Sequence, residues 1–314
     1  MDERARAEQF AAGVNLAGDR ATAEVVDVLR RAGVEAIVLK GPFAARWLRP
    51  EGGTRYSHDV DLLIAPAVNA RAGSALRGAG YEPLFVSRGD DEKHASTWVR
   101  DGAFAVDLHH TLVGVGASDD VVWSTLAPAT EDREVAGLPC TVLAPAGRAL
   151  SIAMHAAQHG PFDARVLEDL ALAVDRLGVE DWREAARLAA ALDATKAFAT
   201  GLRLNPEGGR LADALRLPAA TTTQAALRST GAPPTSLGFE RLARAEGVRG
   251  RTLLVIHELA PSPSFMRVWL PLAGKGRAGL VAAYAIRPFW LLRWSLPGVR
   301  AWLRARRRAR ASQG

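Results

Sequence analysis

Two short apolar runs in this chain carry carboxylates where a core strand would ordinarily have none: HDVDLLI, with Asp59 and Asp61, and AFAVDLHHTL, with Asp107. A strand repeats every two residues, so Asp59 and Asp61 project from one face. The valine, leucines and isoleucine around them place both at the edge of a core. Carboxylates are rarely left there unless paired, hydrogen-bonded or bound to a cation. A third carboxylate on a neighbouring strand completes an all-oxygen set suited to magnesium. Two ions held this way activate an attacking oxygen and stabilise a leaving phosphate.

The order of elements sets the fold class. Residues 2–16 and 19–32 read as helices, the second with Ala23, Val26, Leu29 and Ala32 on one face. EAIVLK (35–40) reads as a strand stopped at Lys40-Gly41-Pro42, followed by a short helix over 43–48. DVDLLI is the second strand, and 66–78 is a helix closed by glycine. YEPLFV, STWVR and FAVDLHHTL suggest a meander, with Arg100-Asp101-Gly102 as a hairpin turn. LPCTVLAP is the last strand. Beyond it the pattern is helical, over about 146–158, 164–177, 181–201, 207–216, 219–229, 238–257 and 277–309. Strands first and helices afterwards predict an α+β fold, with a catalytic domain over 1–145 and a helical domain over 146–314.

Composition excludes several classes. Apolar content of 48% with 24% charge is that of a folded soluble protein. The single cysteine, Cys140, excludes an intramolecular disulfide and reads as a small strand residue. MDERARAEQF has no apolar core of a signal peptide. No apolar run approaches the roughly 18 residues of a spanning helix, so a cytoplasmic protein is expected. The net charge of +6 is unevenly spread: no Asp or Glu follows Glu258, while residues 259–314 carry eleven Lys and Arg. The basicity belongs to the C-terminal tail.

Leu39-Lys40-Gly41, Arg55, Asp59-Val60-Asp61-Leu62-Leu63 and Val106-Asp107-Leu108-His109 together resemble the uncharacterised nucleotidyltransferase family of the DNA polymerase β-like superfamily. The resemblance continues through HAAQH at 155–159 and LEDLA at 167–171. It implies a polymerase β-like sheet with flanking helices and transfer of an NMP from an NTP to a hydroxyl or phosphate, releasing pyrophosphate. Asp59 and Asp61 would bridge two Mg²⁺ ions, with Mn²⁺ as a substitute. Asp107 would bind the acceptor-side ion and take the hydroxyl proton. Gly41 would let the backbone approach the phosphates. Many superfamily members have Gly-Ser or Gly-Gly at that turn; here Pro42 has no N–H to donate.

Other residues keep two readings. Lys40 is a phosphate contact or an exposed strand-end lysine. Arg55 clamps phosphate or pairs with an aspartate. His109, on the strand face of Asp107, contacts the acceptor or orients Asp107, and His110 points the other way. His155 and His159 have the i, i+4 spacing of zinc ligands, but without a following Glu or a third ligand they read as a polar helix face, with Asp169 nearby. His94 is a further candidate for the pocket.

The acceptor is a small molecule, a peptide or protein, or RNA. The rivals are toxin-like transfer onto tRNA and a catalytically silent nucleotide-binding or membrane-peripheral scaffold. The tail interleaves Tyr284, Phe289, Trp290, Trp294 and Trp302 with arginines, as in a helix that contacts an anionic membrane or RNA. It fits better a helix that packs its aromatic face on the helical half and solvates its arginines.

Overall fold

The computed structural model describes residues 2–50, 52–54, 56–84, 94–219, 222–228, 230–245 and 247–311. The chain divides into two compact units. The described residues up to 84, with 94–158 and 163–218, make the first; 159–162 and the described residues from 219 make the second. Residues 145–158 and 163–218 thus share a unit with the sheet.

The first unit opens with α1 (Glu3–Arg31), a single helix where the sequence predicts two. Gly18 does not break it, because Gly18, Asp19 and Thr22 lie on a buried face that continues to Val25, Val26 and Leu29. The cost of an interior glycine is only about 1 kcal/mol. There follow β1 (Ala36–Val38), α2 (Pro42–Leu48), β2 (Asp59–Ile64), α3 (Asn69–Gly78), β3 (Glu82–Pro83), β4 (Ala95–Val99) and β5 (Ala105–His109). Next come α4 (Asp119–Leu126), β6 (Thr130–Val135) and β7 (Leu138–Leu143). Helices α5 (Pro145–His159), α6 (Ala164–Arg176), α7 (Val179–Ala191), α8 (Thr195–Leu202) and α9 (Pro206–Ala214) complete the series. Phe85 and Val86 of the expected first meander strand lie outside the described residues.

The seven strands form one mixed sheet in the order β3-β4-β5-β2-β1-β7-β6. β2 pairs antiparallel with β1 and parallel with β5, and β1 pairs parallel with β7. The two faces of β2 follow its period of two. Val60, Leu62 and Ile64 pack with Val25, Leu29 and Leu76, against α1 and α3. Leu63 joins Ile37, Leu150, Trp182 and Phe198 in the core built by the helices after residue 145. Asp59 and Asp61, in phase with Leu63, therefore share the side covered by those helices.

The second unit comprises α10 (Thr223–Arg228), α11 (Thr235–Arg244), α12 (Gly247–Leu259), α13 (Pro263–Trp269) and α14 (Gly276–Ala311). The stretches expected as single helices over 181–201 and 238–257 are each two helices, parted near Asp193 (φ 49°) and before Gly247 (φ 65°). In α14, Arg287 donates to the Glu258 carbonyl at 2.6 Å and lies over the rings of Phe265 and Trp269. Trp302 donates to Glu240 at 2.8 Å. The arginine-rich end remains helical to Ala311, with Ala305 and Ala309 buried. No described helix is long and apolar enough to cross a membrane.

Candidate active site

The parallel register of β2 and β5 sets Asp61 opposite Asp107 and Leu63 opposite His109. One ligand atom from each of Asp61, Asp107 and His109 falls within 4.8 Å of the others. His109 Nε2 lies 2.9 Å from Asp61 Oδ1, and both residues are buried. An ionised carboxylate only accepts, so the ring donates from Nε2. His109 thus orients Asp61; the sequence had suggested Asp107. Asp59, at the half-buried start of β2, accepts a short hydrogen bond from Ser57 Oγ and is not part of the close group.

Lys40 reaches the same place from the end of β1. Leu39 N–H donates to the Asp61 carbonyl at 3.0 Å, which ties the Leu39-Lys40-Gly41 turn to β2. Lys40 Nζ lies 3.2 Å from Nδ1 of His155, 115 residues away on α5. Gly41 has φ 96°, a left-handed conformation that favours glycine, and a Cβ added there would meet the Asp59 carbonyl at 3.5 Å. The turn and the carboxylate strand are in van der Waals reach.

The environment treats the two facing carboxylates differently. Burial alone would push the Asp61 carboxyl up, but Lys40, the hydrogen bond and charge of His109, and His155 outweigh it and hold it well below the usual range. Burial raises the Asp107 carboxyl, and the charges of Asp61 and Asp59 add to that against a hydrogen bond with Thr97. Asp107 Oδ1 is buried with no hydrogen-bond partner, as is His109 Nδ1.

Of the remaining predicted residues, Arg55 lies outside the described residues. His159 is exposed at the end of α5, and neither it nor His155 belongs to the close ligand group. Asp169 is committed to Arg49 at 2.7 Å. His110 faces Asp119 at 2.7 Å, away from the site. The His94 ring sits 5.5 Å from that of His109. Ser57 and Thr97 were not anticipated. Thr97 lies opposite Asp107 on β4, and the alternation of STWVR was the available signal; nothing in the sequence pointed to Ser57.

The site is thus a strand pair that presents facing carboxylates beside a lysine-glycine turn. Residues 4–207 match the family model described as uncharacterised nucleotidyltransferase, and the chain belongs to that family. Solved structures to which the chain is similar include the antibiotic-resistance factor ANT(2'')-Ia in solution, at 14% identity and TM-score 0.39 over 56% of this chain and 90% of that one. An antigenic nucleotidyltransferase-like protein from Paracoccidioides brasiliensis is similar at 14% identity and TM-score 0.38, over 63% of this chain and 92% of that one. A tRNA-processing enzyme is similar at 13% identity and TM-score 0.25, over 87% and 78%. No protein of curated function matches the sequence.

Proposed function

We propose that this nucleotidyltransferase moves an NMP from an NTP to a hydroxyl or phosphate acceptor, with Asp59, Asp61 and Asp107 holding divalent metal, magnesium as two ions. The observation that carries this reading is the buried, unpartnered Oδ1 of Asp107 facing ionised Asp61. A buried carboxylate facing a half-buried one at this separation is costly unless a cation joins them. The donor set fits a hard cation, since two of the three closest ligands are carboxylates. Bound there, the metal would neutralise phosphate charge and lower the pKa of the acceptor hydroxyl.

The chain's own groups supply the rest. Lys40 offers a compact positive charge to the phosphates, and Gly41 lets them approach the backbone without a Cβ in the way. Arg55 is a further phosphate ligand by its place in the motif. His109 fixes the orientation of Asp61. The acceptor oxygen bonds to the α-phosphorus as the bond from that phosphorus to the bridging oxygen breaks. Pyrophosphate leaves with the electron pair. Asp107, the carboxylate whose surroundings favour protonation, takes the acceptor proton. An NTP substrate fits the cytoplasmic location expected from the sequence.

The test is to incubate the pure protein with each α-labelled NTP, Mg²⁺ and cell extract. The reading requires label on an acceptor together with released pyrophosphate. No label on any acceptor, or release of pyrophosphate with all α-label left as free NMP, contradicts it.

A further inference from the structure

Helix α14 is apolar on two opposite sides. Its inner side is buried through Gly279, Ala283, Arg287, Gly298, Ala305 and Ala309. Val281, Phe289, Leu292, Leu296 and Leu303 are spaced by 8, 3, 4 and 7 residues and fall on the opposite side. They are 69%, 74%, 72%, 58% and 42% exposed. This stripe runs about 33 Å along the axis at 1.5 Å per residue. Such a stripe is not ordinary surface: of the nineteen exposed large apolar residues among the described ones, fourteen lie between Val248 and Leu303.

Charge identifies the occupant. Arg293, Arg300 and Arg304, spaced by 7 and 4 residues and all exposed, line one edge of the stripe. The acids that α14 meets among the described residues, Glu240 and Glu258, bond Trp302 and Arg287 on its inner side. The chain carries no Asp or Glu beyond Glu258 to offset these arginines. A second copy packed through the same stripe would set arginine against arginine. Nucleic acid would satisfy the arginines but leave aliphatic leucines and valine without a fitting surface, since it rewards aromatic stacking. An anionic lipid surface satisfies both, taking the apolar stripe at the headgroup–acyl boundary and the arginines among its headgroups.

We propose that the outer face of α14 lies in the plane of an anionic membrane and holds the enzyme there peripherally. The test is sedimentation of the full chain with vesicles of phosphatidylcholine alone and with a quarter phosphatidylglycerol, at low and high salt. Two variants accompany it: Phe289→Ser/Leu292→Ser/Leu296→Ser, and Arg293→Gln/Arg300→Gln/Arg304→Gln. The expected result is binding to the anionic vesicles alone, weakened by salt. The arginine variant should lose on the order of a hundredfold at low salt, at about one kcal/mol per basic residue. The serine variant should lose about tenfold or more, with circular dichroism showing the helices retained. Should the serine variant unfold, the arginine variant decides alone. No binding by the wild type, equal binding to both vesicle types, or unchanged binding by the arginine variant overturns the proposal. So does capture of single-stranded RNA in place of vesicles, or a wild-type dimer that the serine variant makes monomeric.

Discussion

Asp61 and Asp107 sit directly opposite one another on parallel strands, yet their carboxyls are driven in opposite directions. Asp61 has Lys40, His109 and His155 around it, and their electrostatic pull together with the imidazole hydrogen bond overcomes its burial. Asp107 has burial and two neighbouring carboxylates, with Thr97 as its hydrogen-bonding partner. One is ionised by its surroundings; the other is left short of positive charge.

The pair predicts opposite responses in metal-free protein. Asp61→Asn replaces the charged acceptor for His109 with a neutral one and removes the counter-charge for Lys40, and should cost about 1–3 kcal/mol in denaturant unfolding at pH 7. Asp107→Asn removes a carboxylate that is unfavourable when ionised, and should leave stability unchanged or raise it. Equal losses from both substitutions would contradict this electrostatic picture.

The pH dependence follows from the same signs. The folded value of Asp61 is depressed, so its contribution is present above the unfolded value of about 3.9 and is lost as pH falls through the folded one. Asp107 is raised, so its protonated form favours folding at low pH, and that contribution disappears as pH rises through its folded value. Denaturant titrations from pH 3 to 7 should therefore show stability changing less with pH in Asp107→Asn than in the wild type above pH 4.

Divalent cation should reverse the cost at Asp107. Millimolar Mg²⁺ or Mn²⁺ should raise the wild-type Tm, by about 2.7 kcal/mol of stability at a hundred times Kd. Neither Asp61→Asn nor Asp107→Asn should respond comparably. A wild-type Tm that ignores both ions would remove the metal from the account.

Lys40→Met should act on substrate binding and on acidity together. Loss of the phosphate charge should raise the NTP KM more than it lowers kcat. Loss of the largest positive influence on Asp61 should move the acid limb of the kcat profile to higher pH. An unchanged KM and an unshifted limb would make Lys40 only a partner of His155.

Much of this arrangement was legible in the sequence, and the rest was hidden for identifiable reasons. Period-two alternation put Asp59 and Asp61 on one face, and the second apolar run proved to be the partner strand, in register Asp61 with Asp107. The hydrogen bond of His109 to Asp61 depended on that register and on rotamers, which no spacing within one strand reveals. The approach of His155 to Lys40 joins residues 115 positions apart and needed the helices folded back over the sheet. Strand β6, TEDREV, was missed because it is an edge strand with only Val135 buried, so its apolar signal is weak. The outer stripe of α14 was in the sequence too, but an apolar stripe at helical spacing reads as core until the other side is seen to be the buried one.

If the facing aspartates carry nucleotidyl transfer, single-turnover transfer of α-label by the wild type and Asp61→Asn side by side, at saturating NTP and Mg²⁺, will separate the two proteins. Circular dichroism should report the same fold for both. The wild type should label the acceptor, and Asp61→Asn should lose at least about a thousandfold, the scale expected when a charge-stabilising group is removed from the reacting centre. Wild-type rates in the folded variant would contradict it.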